Sequence, residues 1–213
     1  MTADASSNAN AGAKLVGQAH GRLILGRRIE VLAQSLARFL PARSSILDIG
    51  CGNGSLAVRL RQFAPGTTVR GVEVHARPDC AIACDLFDGK RLPFDDASFD
   101  GCLFVDVLHH TLTPEAILAD ARRVSRSFIL IKDHISANAL DHATLRFMDW
   151  VGNRAHGVAL PYNYLSQVRW DAMFKSLRLR VVRSERRISL YPLPFSWVFG
   201  RGLHFIALLD VRR

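Results

Sequence analysis

The sequence predicts an α/β protein built on a mainly parallel sheet with helices on both faces. Three observations carry this. Short apolar runs alternate with stretches of helical periodicity. A glycine cluster follows the first apolar run and opens a helix. The last run, Leu203 to Val211, is almost continuously apolar, as for a strand buried on both faces. The 213 residues suit one domain, residues 14–213, behind a small polar tail, residues 1–13, expected to be disordered.

The elements follow in order. Leu25, Ile29, Leu32, Leu36 and Leu40 recur at spacings of four and three, one face of an amphipathic helix that Pro41 stops. Ser45 to Ile49 reads as the first strand, and Leu56, Leu60 and Phe63 mark the next helix. Val69 to Val74 is the second strand, Ala81 to Cys84 the third and Gly101 to Leu108 the fourth. Thr113-Pro114-Glu115 is a helix start, with an N-cap hydroxyl, a proline at the first position and an acid near the positive end. Phe128 to Ile131 is the fifth strand. Leu177, Leu179 and Val181 alternate with Arg178 and Arg180, the pattern of an edge strand. The last strand is therefore expected inside the sheet and the penultimate one at its rim.

Composition removes other classes. With 49% hydrophobic and 22% charged residues, the chain is neither disordered, collagen-like nor a coiled coil. It holds no apolar run of roughly 18 residues, the length a spanning helix requires. Met1 to Gly12 lacks the layout of a secretory signal. Cys51, Cys80, Cys84 and Cys102 contain no CxxC pair and no repeated spacing with histidine. Neither a disulfide framework nor a metal site is expected, and a reducing cytoplasm fits. The net charge of +9 favours anionic partners without choosing among them.

The strongest feature is Ile46-Leu47-Asp48-Ile49-Gly50-Cys51-Gly52-Asn53-Gly54. Glycines after a strand allow a tight turn and let a ligand approach the backbone. The spacing is GxGxG, whereas a dinucleotide pyrophosphate uses GxGxxG. Asp48 would repel a phosphate and attract a cation. No Gly-Lys-Ser/Thr follows, which excludes a Walker loop. Glu73 lies nineteen residues after Gly54, at the end of the second strand, where an acid can take both hydroxyls of a ribose. As an alternative, Glu73 is a solvated loop acid.

The run ILDIGCGNG resembles motif I of the class I S-adenosylmethionine-dependent methyltransferases, in particular the type-11 methyltransferase domain. GVEV, DGKRLPFDDASFD and the VLHH run continue the resemblance, which covers about residues 20–135. It implies a Rossmann-like sheet of seven strands whose last strand is antiparallel and inserted beside the fifth. It also implies S-adenosylmethionine as cofactor. Carried over by position, Asp48, Gly50, Cys51, Gly52 and Gly54 would surround the methionine part and Glu73 would hold the ribose diol. Asp88 would accept from the adenine amino group beside the Gly89 N–H, and Asp106 would stand at the same crevice. Asp85 could serve in place of Asp88, and either aspartate could cap a turn.

In open α/β sheets the site lies beyond the C-terminal strand ends. Asp106, His109 and His110 follow strand four; Lys132, Asp133 and His134 follow strand five. His134, oriented by Asp133, or His110 is a candidate proton acceptor; the alternative for each is a hydrogen-bonded pocket wall. Residues 135–166 mix aromatic and polar side chains and suit a cap over an acceptor. Within it, Arg146 and His156 could receive an anionic group, and Trp150 and Tyr164 could form an apolar wall. The acceptor expected is a small or lipid-like molecule. Arginines at positions 178, 180, 183, 186, 187, 201, 212 and 213 keep an RNA substrate as an alternative. The run Tyr191 to Phe199 allows contact between a non-catalytic protein and an anionic membrane.

Overall fold

The computed structural model describes residues 26–75, 77–153, 161–191, 193 and 195–212. The expected tail and His156 lie outside these residues.

Helix α1 (26–37) precedes β1 (Ser45–Ile49), α2 (Ser55–Phe63), β2 (Thr68–Glu73), β3 (Cys84–Leu86) and β4 (Phe99–Val105). Then come α3 (Pro114–Val124), β5 (Ser125–His134), α4 (Ala139–Asn153) and α5 (Gln167–Ser176). The chain closes with β6 (Arg180–Glu185), α6 (Ser196–Phe199) and β7 (His204–Asp210). The seven strands form one sheet in the order β3-β2-β1-β4-β5-β7-β6. β1 to β5 pair in parallel, and β7 runs antiparallel to both β5 and β6. This is the Rossmann-like arrangement expected, with the last strand inside and the penultimate one at the edge.

Two apolar layers sandwich the sheet. On one face Leu32, Ala33 and Leu36 of α1 and Leu60 of α2 pack on Ile46, Leu103, Leu130 and Ile206. On the other, Ile117, Leu118 and Ala121 of α3 and Trp170, Met173 and Phe174 of α5 pack on Leu47, Cys102, Ile129 and Leu209. Each Leu, Ile, Met or Phe among them contributes about 1.5–3 kcal/mol on full burial. A small third cluster, Leu145, Tyr164 and Leu203, seats α4 over the β5–β7 end of the sheet. Among the described residues no helix is long and apolar enough to cross a membrane.

Local geometry shifts several expected boundaries. The third strand occupies Cys84–Leu86 instead of Ala81–Cys84, because Ala81 N–H donates to the Asn53 carbonyl (2.9 Å) and ties that segment to the glycine loop. The fourth strand stops at Val105, since Asp106 turns left-handed (φ 57°) and Leu108–His110 form a 3-10 turn. The sixth begins at Arg180. Leu177 caps α5, Arg178 adopts φ 53°, and Leu179 N–H bonds Phe174 O, so the alternating leucines belong to a turn. Thr113 precedes α3 but makes no side-chain cap; its carbonyl accepts from Ala116 N–H (3.1 Å).

Candidate active site

The glycine loop is built by the strand that precedes it. Gly50 N–H bonds Val72 O (2.9 Å), so the chain leaves β1 while still fastened to β2. Gly50, Gly52 and Gly54 all have positive φ (73°, 57° and 73°), and α2 starts directly after them. Gly52 N–H donates to Glu73 Oε1 (2.9 Å) and Val74 N–H to Oε2 (3.0 Å). Each carboxylate oxygen keeps a further lone pair, enough to receive the two neighbouring hydroxyls of a ribose. A Cβ added at Gly52 would meet nothing within 4 Å, so the backbone there has space in front of it. Glu73 is buried, and so is Asp48, whose pKa is pushed up to about 7 by burial and by Glu73. The set suits a cationic nucleoside: an open backbone cradle, an oriented diol acceptor and an acid beneath.

The turn at Asp88 and Gly89, expected to border an adenine, is more exposed. Asp88 Oδ1 accepts from Lys90 N–H (2.8 Å) and Arg91 N–H (3.0 Å), which caps the turn and holds its carboxyl below the usual range. Gly89 sits beside it with φ 76°. Asp85 is engaged by the Arg70 guanidinium through two hydrogen bonds (2.5 and 2.9 Å), so it is spent elsewhere.

Across the crevice the chain carries a buried charge network. Asp106 N–H donates to Lys132 O (2.9 Å), and its carboxylate pairs with Lys132 Nζ and with Arg28 Nη2 of α1 (2.7 Å). Burial alone would raise the Asp106 pKa; Lys132 and Arg28 outweigh it and hold it well below the usual range. The carboxylate expected at the cofactor is thus committed to two cations. Lys132 is fully buried and lies 3.3 Å from His204 Nδ1.

His109 lies at the centre. Its Nδ1 is 2.7 Å from Asp133 Oδ1 and its Nε2 is 3.2 Å from Asp149 Oδ2 of α4. Burial pushes its pKa down, but Asp133 and Asp149 overcome this and raise it to about 10, so His109 is an imidazolium at neutral pH. Asp133 also accepts from Leu108 N–H (3.0 Å) and His134 N–H (2.7 Å). Tyr164 O–H donates to Asp149.

This geometry changes the expected chemistry. His134 is 3% exposed, and burial and Lys132 depress its pKa to about 4, a poor proton acceptor locked in the wall. Asp133 is fully buried and orients His109 as well as the backbone of His134. His110 differs from both. It is partly buried, its Nδ1 has no hydrogen-bond partner among the described residues, and its ring lies 4.0 Å from that of His109. Burial and the His109 charge lower its pKa and keep it neutral.

Of the four expected acceptor contacts, the three among the described residues separate. Tyr164 is buried in the network. Arg146 is exposed and stacks over Tyr162 at 4.8 Å. Trp150 is 48% exposed on α4, its ring 6.5 Å from that of Phe147. Sequence reasoning missed Arg28 and His204, which carry no local signal, and did not connect Asp149 to His109, forty positions away.

A family described as a methyltransferase domain matches residues 47–127, which span the glycine loop, Glu73, Asp88 and both histidines after β4. Over 109 residues the chain is 33% identical to the 27-O-demethylrifamycin SV methyltransferase of Amycolatopsis mediterranei, covering 45% of this chain and 40% of that protein. It is 28% identical over 206 residues to the S-adenosyl-L-methionine-dependent Diels-Alderase iccD of Talaromyces variabilis, covering 80% and 69%. The chain therefore spans less than half the length of that rifamycin enzyme. The fold is shared with 1,6-didemethyltoxoflavin-N1-methyltransferase of Burkholderia thailandensis, solved with bound S-adenosylhomocysteine (TM-score 0.60, 19% identity, 99% of this chain and 91% of that one). Residues 47–127 thus match a methyltransferase domain, and the sheet order with the loop that ends β1 gives the chain the fold of that solved S-adenosylhomocysteine-bound enzyme.

Proposed function

We propose that the protein transfers a methyl group from S-adenosylmethionine to a small, partly apolar acceptor bound under α4. The observation that carries this reading is the open backbone at Gly52 faced by the Glu73 carboxylate, which two N–H groups hold in place. The sulfonium of the cofactor supplies a methyl group activated for displacement. The chain has to hold the nucleoside, exclude water and set the acceptor in line, and orientation alone can supply on the order of 7–11 kcal/mol. Gly50, Cys51, Gly52 and Gly54 form the cradle with Asp48 beneath, and Glu73 takes the ribose. Asp88 and Gly89 border the adenine. His110 is the proton acceptor for an acceptor O–H or N–H, since its ring is only partly buried and is kept neutral by burial and by the neighbouring His109. Asp133 and His134 act through His109, which holds the floor of the pocket. Asp106 positions α1 through Arg28.

The acceptor class is read from the surface around α4. Phe147, Trp150 and Val151 are exposed on α4, and Phe195 and Trp197 on the α6 segment. Arg201 joins the two segments by bonding Thr144 Oγ1 (2.9 Å). An apolar rim of this kind favours a lipid-like or aromatic molecule over RNA.

Incubation of a cell extract with methyl-labelled cofactor, followed by mass analysis, tests the reading. A small product heavier by one labelled methyl supports it. A product of altered structure without added methyl, as the likeness to a Diels-Alderase would suggest, overturns it. His110→Ala should lower kcat about a hundredfold or more while leaving cofactor affinity unchanged.

A further inference from the structure

Three of the four cysteines, distant in sequence, meet beside the glycine loop. Cys51 belongs to the loop, Cys80 to the turn in which its N–H bonds Arg77 O, and Cys84 to the start of β3. Their sulfur atoms all lie within 4.8 Å of one another, and Cys51 Sγ is 3.5 Å from Cys84 Sγ. Three thiolates around an ion at about 2.3 Å place their sulfurs about 3.8–4.0 Å apart. The thiols already have nearly the separation of a ligand set.

The sheet makes room for this meeting. Gly71 of β2 is the register partner of Cys84, and a Cβ at Gly71 would lie 2.4 Å from Cys51 Sγ. Any larger residue there would displace the Cys51 thiol from its neighbour. Cys51 is buried, whereas Cys80 and Cys84 are partly exposed, so an ion could reach the enclosed sulfur past the outer two. Buried Glu73 interacts electrostatically with Cys84. Such surroundings disfavour lone thiolates and favour a bound cation.

We propose that Cys51, Cys80 and Cys84 form a three-sulfur site for a thiophilic closed-shell cation, copper(I) or zinc(II), that ties the glycine loop to β3. On binding, each S–H bond gives way to a metal–sulfur bond, the three protons pass to solvent, and no oxidation state changes. Three thiolates complete a trigonal shell for copper(I), whereas zinc(II) would add a water as fourth ligand. The site stands independently of the methyl-transfer reading.

Titration of the reduced full chain under anaerobic conditions tests this. Zinc(II) and copper(I) would be added separately against a chromophoric chelator, with cobalt(II) as a spectroscopic probe. The expected result is about one equivalent bound per chain, with thiolate-to-cobalt charge-transfer absorption. Cys84→Ser and Cys80→Ser should each weaken binding by roughly a hundredfold. Cys102→Ser, whose thiol bonds Ala121 O (3.6 Å) within the core, should bind as the parent does. Equal binding by the parent and the Cys80 and Cys84 variants, or no sulfur charge transfer, would overturn the proposal. So would a Cys51–Cys84 disulfide forming in a chain that takes up no metal. Cys80 lies in a surface turn, so its variant keeps the test open if Cys84→Ser does not fold.

Discussion

The two sides of the crevice are made differently. On the β1–β2 side the surface is backbone: glycines with positive φ, amide N–H groups and one carboxylate held by two of them. On the β4–β5 side it is side chain: His109, Lys132, Asp133 and His134 lie out of water and are bound to the partly exposed Arg28, Asp106 and Asp149. A backbone cradle fits a ligand whose shape never changes. A wall of interlocked charges is held rigid by the pairing of its charges with one another. Under the proposed function the backbone side would hold the cofactor and the side-chain side would meet the acceptor.

Substitutions can break that division, and the largest effect is expected in the charged wall. Asp133→Ala leaves the His109 imidazolium without its nearest partner and orphans the Leu108 and His134 N–H groups. Loss of about 3–5 kcal/mol in denaturant unfolding is expected, and a loss below 1 kcal/mol would mean that the network does not hold the wall.

The pH dependence comes next. The folded pKa of His109 is raised to about 10 by Asp133 and Asp149, above its ordinary 6.5, while the adjoining His110 and His134 are neutral at pH 7 and Tyr164 stays protonated. Its contribution is complete below pH 6.5 and is lost as pH rises through about 10. The parent's melting temperature should fall across that window, and His109→Gln should flatten the fall. A variant with the parent's slope would show that His109 is not the group that titrates.

On the cradle side the effects fall on binding. Gly52→Val should abolish detectable cofactor binding, while strain at φ 57° costs only about 1–2 kcal/mol of stability. The smallest change is Glu73→Ala, which should weaken calorimetric affinity by about tenfold, or 1.4 kcal/mol. Unchanged affinity would remove Glu73 from the ribose.

The cradle was legible in the sequence because its parts are neighbours. Glycines at alternate positions, a strand before them and an acid at the next strand end all leave local marks. Element order was legible for the same reason, through periodicity and Gly or Pro punctuation. The charged wall was legible only in part. Its members in β5 and after β4 were visible as polar residues closing apolar runs, but Arg28 meets Asp106 across 78 positions and His109 meets Asp149 across forty. No periodicity records such pairings. The three thiols were hidden likewise: positions 51, 80 and 84 form no spacing pattern, and their meeting depends on the missing side chain at Gly71. Leu177 and Leu179 misled in the opposite sense, since a turn can alternate as a strand does.

One consequence follows from the place of β7. It pairs with β5 from Phe128↔Asp210 to His134↔His204, and with β6 on its other side. During synthesis β5 is complete seventy residues before the start of its neighbour is made. At 5–20 residues per second the gap is on the order of 4 to 14 s. Throughout that interval the nascent chain exposes an apolar strand edge, FILI, next to the buried Lys132 and Asp133 that later close the crevice. Chaperone capture or mispairing of the newborn protein should therefore concentrate at β5, whose Lys132 meets its neighbour His204 only once β7 has been made.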